Sequence, residues 1–170
     1  IRKMAVVQLI SVLLSFALAG LAQCSCPAGF EEISSCCYYF SSDHGVKDTW
    51  SNARDYCQEL GDLLGGTVNL AEVGYNTGCN DDMLMVTVSS KASGVGTWFG
   101  AKDDEEEDHW VWQQSGKSFS LTSNMWWYDE PDHVSGYSNC LHAYTGYPGG
   151  QHRAYFGDKQ CNNVIEFVCQ

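Results

Sequence analysis

Apolar and polar positions follow two different rhythms along this chain. Trp50, Ala53, Cys57 and Leu60 recur at steps of three and four. That spacing places them on one face of a helix over residues 48–61. Thr49 is suited to cap its start and Gly61 to stop it. Cys57 then points into a core. A weaker helical pattern covers residues 73–88, with Cys79, Met83 and Val86 on one face. The β-branched residues Val86, Thr87 and Val88 blur its end. Residues 62–70 are rich in glycine and read as extended.

The remaining apolar runs are short and strand-like. Residues 36–40 form one aromatic run and residues 97–101 another, while residues 109–112 alternate with period two. Three further aromatic pieces, 139–147, 152–156 and 164–169, read as short strands. A turn at 146–150 separates the first two. Residues 113–122 are polar and loop-like. No repeat or linker interrupts the series. The order predicts one α+β domain, with two helices on an antiparallel sheet.

The amino terminus departs from this pattern. Arg2 and Lys3 precede an apolar run over residues 4–21, which ends in Gly20-Leu21-Ala22. The run is short and no basic cluster follows it. It therefore reads as a secretory signal peptide over 1–22, leaving a secreted, extracellular domain over 23–170. No second run is long enough to act as a membrane anchor.

Charge narrows the partners. There are 21 acidic and 9 basic residues, a net charge of −12. Nucleic acid needs a basic face to neutralise its phosphates, so it is excluded as a partner. Divalent cations and basic ligands fit an acidic secreted chain. No Asn-x-Ser/Thr acceptor is present.

Nine cysteines, at 24, 26, 36, 37, 57, 79, 140, 161 and 169, all follow the leader. In a secreted chain they read as a disulfide framework. Their spacing does not give the paired CxxC units of a zinc site. Cys26 and Cys37 are spaced for a hairpin staple. Cys36 has two candidate partners, Cys24 and Cys79. An odd count leaves one thiol over, and Cys24, outside the predicted core, is the candidate for a disulfide-linked homodimer.

An enzyme is not expected. The five histidines are scattered, and no Gly-x-Ser-x-Gly elbow, HExxH or phosphate loop occurs. The chemistry concentrates instead in residues 124–132. There Trp126, Trp127 and Tyr128 abut Asp129, Glu130 and Asp132 around Pro131. Large aromatics want burial, and carboxylates resist it unless something pairs with them. Such a segment suits the edge of a core beside a cation site. By itself it also reads as a surface turn.

Taken together, these pieces resemble a C-type lectin-like domain of the long form over residues 26–169. Cys26-Pro27 with Cys37-Tyr38 resembles the family's amino-terminal hairpin. Trp50, Ala53 and Cys57 resemble its first helix, and Trp98-Phe99-Gly100-Ala101 its WIGL core strand. Trp110-Val111-Trp112 with Gly116, then Trp127 and Glu130-Pro131-Asp132, resemble its long-loop region. Cys140, Cys161 and Cys169 follow in the family's order. The resemblance implies the pairs Cys57–Cys169, Cys140–Cys161 and Cys26–Cys37.

It also implies Ca2+ as cofactor. Calcium takes 6–8 oxygen ligands, and in such lectins two sugar hydroxyls complete the shell. Glu130 and Asp132 match the first ligand pair, around a proline that is cis in the family. Asp158 matches the aspartate of the Trp-Asn-Asp motif, which reads Phe156-Gly157-Asp158 here. Ser138 stands where a glutamate is usual. Asp129, His133 and Asn139 are the nearby groups able to compensate. Asp103 and Glu107 match an accessory calcium position, although residues 103–108 also read as a solvated acidic loop.

The carbohydrate-binding set implied is Glu130, Asp132, Tyr137, Ser138, Asn139 and Asp158. Tyr137, His142, Tyr144, Tyr147 and His152 are candidates for stacking on a sugar, in loops expected to be exposed. Trp126 and Trp127 read as core and loop anchors. Glu-Pro-Asn goes with mannose-type and Gln-Pro-Asp with galactose-type sugars, and Glu130-Pro131-Asp132 mixes the two. The functional expectation is a secreted calcium-dependent lectin that recognises glycans on microbial or self surfaces in innate defence. The alternative is a module of the same fold that binds protein, mineral or ice through a degenerate calcium site.

Overall fold

A computed structural model describes residues 26–74, 78–91, 96–103, 105–119, 124–132, 138–144 and 154–170. The expected signal peptide 1–22, and Cys24, His133, Tyr137, Tyr147 and His152, lie outside the described residues.

Helix α1 spans Trp50–Leu64 and buries Trp50, Ala53 and Cys57. Thr49 caps it as expected, its side chain accepting the Asn52 N–H. It runs one turn past Gly61 and ends at Gly65, which takes the left-handed conformation at φ 69°. Gly61 has another purpose. A Cβ there would sit 2.7 Å from the Val68 nitrogen, because the chain folds back against the helix. Residues 62–64 are thus helical rather than extended.

Helix α2 spans Asp81–Lys91 and buries Leu84, Met85 and Val88. The expected face was wrong, since Met83 and Val86 are exposed. Cys79 precedes the helix, and Val86 and Val88 lie inside it. Its apolar residues spread around the axis, so spacing alone does not single out the face that tertiary packing covers.

Among the described residues there are seven short strands. They are β1 (Glu31–Ile33), β2 (Cys36–Phe40), β3 (Thr97–Lys102), β4 (Val111–Trp112), β5 (Cys140–Tyr144), β6 (Tyr155–Lys159) and β7 (Glu166–Cys169). Five match expected runs, β6 begins later than expected and β1 was not expected. They form a sheet in the order β1-β2-β7-β3-β5-β6, with β4 on β3. All pairings are antiparallel except β3 with β7, which is parallel, with Trp98 opposite Phe167. The sheet is therefore mixed, a correction to the antiparallel expectation.

Successive strand residues divide between two cores, as a pleated backbone requires. Tyr38, Phe40, Phe99 and Val168 join one with Leu84, Met85 and Val88 of α2. Tyr39, Trp98 and Phe167 join the other with Trp50, Ala53 and Cys57 of α1. The two helices thus serve opposite cores. Trp110, Trp112, Trp126 and Phe156 extend the first core beneath the long-loop region.

Among the described residues, four disulfides staple this arrangement: Cys26–Cys37, Cys36–Cys79, Cys57–Cys169 and Cys140–Cys161. Of the two candidates for Cys36, Cys79 is its partner. Cys57–Cys169 closes a separation of 112 residues and ties α1 to β7. No described helix is long and apolar enough to cross a membrane.

Candidate cation and ligand site

Two stretches far apart in sequence meet at the end of β6. Trp126 bridges to Phe156, the Phe156 N–H donates to Met125 O at 2.7 Å, and the Trp127 N–H donates to Phe156 O at 2.8 Å. Trp126 is buried against Trp110, Phe119 and Phe156, and Trp127 packs on Tyr155. Both tryptophans are anchors, as expected. They hold the chain where the Glu130 N–H donates to Trp127 O and the Glu130–Pro131 peptide is cis.

This geometry brings Glu130, Asp132 and Asp158 together. One carboxylate oxygen from each lies within 4.8 Å of the others. Two calcium ligands on opposite sides of an ion, at about 2.3–2.6 Å each, stand about 5 Å apart. The cluster fits that span. Asp158 is buried, Glu130 half-buried and Asp132 exposed, so the group opens toward solvent on one side. Asp158 Oδ1 accepts the Asp132 N–H at 2.8 Å, while Oδ2 is buried without a hydrogen-bond partner. An orphaned carboxylate oxygen beside two other carboxylates is costly unless a cation or proton satisfies it.

Glu130 holds a proton more readily than an ordinary carboxyl. Burial, then the adjacent Asp158 and Asp132, push its carboxyl up to about 7. The hydrogen bond from the Tyr144 hydroxyl, 2.8 Å from Oε1, works the other way by favouring the ionised form. Bringing a divalent cation here would relieve the repulsion among the three groups.

Asp103 occupies a second acidic position. It is buried at the end of β3, its N–H donating to Asn139 O at 3.3 Å. Its Oδ2 accepts the Asp108 N–H, and its Oδ1 is buried without a partner. Burial, with Glu107 and Asp158 adding repulsion, raises its carboxyl to about 6. Glu107 itself is exposed. The solvated-loop reading thus suits residues 105–108 and fails at Asp103. Ser138 and Asn139 are half-buried where the chain enters β5.

His142 is not in an exposed loop. It is fully buried in β5, edge-on to Trp98 and Tyr144, and both ring nitrogens lack partners. Burial, reinforced by Lys159, lowers its pKa to about 3, so it is a neutral core residue. Contrary to expectation, it offers no exposed face for stacking on a sugar. β5 lies between β3 and β6, and Cys140, Leu141, His142 and Ala143 are all buried, so alternation does not mark an outer face.

Gly157 is the residue whose meaning changes most. A Cβ there would collide with the Tyr144 ring and come within 2.9 Å of Glu130 Oε2. Tyr144 therefore stands in the space that a side chain at 157 would need. In sequence, position 157 reads only as a missing amide. The pairing of His142 with Gly157 across β5 and β6 reveals the rest.

Comparison with known proteins fits this architecture. Residues 46–170 match the family model described as the lectin C-type domain. Perlucin from Haliotis laevigata is 25% identical over 145 residues, covering 85% of this chain and 82% of perlucin. Lithostathine-1-alpha from Homo sapiens is 29% identical over 152 residues, covering 88% and 80%. The C-type lectin domain of murine dendritic cell inhibitory receptor 2, solved in complex with N-glycan, superposes with a TM-score of 0.63 at 19% identity, covering 85% of this chain and 97% of that one. The family consists of binding domains rather than enzymes. With its matched domain, its four disulfides and its mixed sheet, this chain belongs to the C-type lectin domain family.

Proposed function

We propose that this protein is a secreted, calcium-dependent carbohydrate-binding lectin of innate defence. Calcium would be held by Glu130, Asp132 and Asp158, and would supply open coordination positions for sugar hydroxyls. The observation that carries this reading is the cluster of three carboxylates within 4.8 Å, one with a buried, unpartnered oxygen. Asp103, with Glu107, is the accessory cation position, supported by the unpartnered Asp103 Oδ1. Tyr137, Ser138 and Asn139 complete the proposed ligand surface. Residues 1–22 act as the export signal in this reading, and Cys24 is the thiol available for a disulfide-linked dimer.

The ligand class is a glycan of mannose or galactose type, since Glu130-Pro131-Asp132 mixes both motifs. Retention on mannose and galactose resins, with and without chelator, tests this. Retention that chelator abolishes supports the reading. No retention on either resin, with no calcium-induced rise in Tm, overturns it.

A second reading is favoured by one observation, the Tyr144 ring over Gly157. It is a lectin-fold module that binds protein, mineral or ice rather than sugar. Calcium binding without retention on any sugar resin is its expected signature.

A further inference from the structure

Tyr144 and Gly157 form a matched pair beside Glu130. The tyrosine closes β5 and the glycine lies in the neighbouring β6. The Tyr144 hydroxyl donates to Glu130 Oε1 at 2.8 Å, and the Asp158 N–H donates to Oε2 at 3.3 Å. Both oxygens of Glu130 are therefore oriented by the protein. The tyrosine ring packs edge-on against His142, at 4.3 Å between centroids, which fixes its direction. The phenol can reach Glu130 because position 157 carries no side chain, and any Cβ there would strike the ring.

From this geometry we propose that Tyr144 is the positioning residue for Glu130, taking over in this chain the support that a ligand side chain at 157 would otherwise give. The phenol does this indirectly, by holding the carboxylate that faces the cation. Hydrogen bonds to ligating carboxylates fix their orientation, and their loss typically costs about 10–100-fold in metal affinity. The arrangement has a second consequence for the ligand. Oε1 of Glu130 already accepts a hydrogen bond from the phenol, so one of its lone pairs is committed and its remaining acceptor direction is fixed.

The proposal rests on the calcium reading above, and calorimetric titration of the folded, oxidised protein with calcium separates the two. Tyr144→Phe keeps the ring and removes the hydroxyl. It should weaken calcium binding about 10-fold or more, while lowering Tm in chelator only by what the one lost hydrogen bond costs, because the packing on His142 remains. Tyr144→Ala with Gly157→Asn offers a direct amide ligand in the vacated space, and should bind calcium more tightly than Tyr144→Ala alone. Calcium binding by Tyr144→Phe equal to that of the wild type overturns the positioning role and leaves the calcium reading standing. A wild type that binds no calcium overturns both.

Discussion

The Asp132 N–H donates to Asp158 Oδ1 at 2.8 Å, joining the two halves of the candidate site across 26 residues of sequence. Asp158 thus has two tasks: one oxygen holds the loop and the other is buried and unpartnered. Asp158→Asn retains an acceptor for the amide but removes a charge. It should abolish calcium binding in calorimetry while keeping, or slightly raising, Tm in chelator. Asp158→Ala should lose both the binding and the loop contact. Full calcium binding by Asp158→Asn would remove Asp158 from the ligand set.

The pH dependence follows from Glu130. Its folded carboxyl titrates near 7, against an ordinary value of 4.5. Between those values the folded state holds a proton that the unfolded state does not. In chelator, this contribution to stability is full below 4.5 and is lost as pH rises through 7. Calcium must displace the same proton. The calcium-induced rise in Tm should therefore be small near pH 5 and grow through pH 7. Equal rises at about pH 5 and pH 8 would show that calcium displaces no proton from Glu130.

Cys57–Cys169 spans 112 residues. Replacing both cysteines with alanine frees a long loop in the unfolded chain, which destabilises by about 4–5 kcal/mol in the loop-entropy account. For a domain of this size, that corresponds to a fall in Tm on the order of 10 °C. Melting in chelator isolates the effect. A loss confined to a degree or two would mean that the other three disulfides already restrict the unfolded state.

Gly61→Ala sets two effects against each other. Within α1, alanine is favoured over glycine by about 1 kcal/mol. The new methyl, however, would meet backbone at Val68 and Gly66, at 2.7 and 3.0 Å. Backbone cannot yield as a side-chain end can, and overpacking costs about 1–3 kcal/mol. The variant should be destabilised in urea unfolding. Gly66→Ala, where a Cβ meets nothing, should be close to neutral.

Much of the fold was legible because it repeats locally. The 3–4 spacing of Trp50, Ala53 and Cys57 identified α1 and its buried face. Short aromatic runs located the strands, because β-branched and aromatic residues fit a pleated, half-buried surface. Legibility failed where packing, rather than spacing, chooses the face. Leu84 and Met85 are adjacent and both buried in α2. His142 looks polar and exposed, yet lies between two strands and under rings on either side.

The candidate site divides the same way. The sequence by itself marked Glu130 and Asp132 around Pro131 as a candidate cation site, and the resemblance to the C-type lectin family added Asp158. Only the tertiary structure decided that position 157 is filled by Tyr144, that Asp103 is buried, and that Cys36 joins Cys79. Those facts depend on which strands lie side by side. Residue spacing encodes a periodicity along one element, whereas contacts between elements arise from long-range packing that no local pattern records.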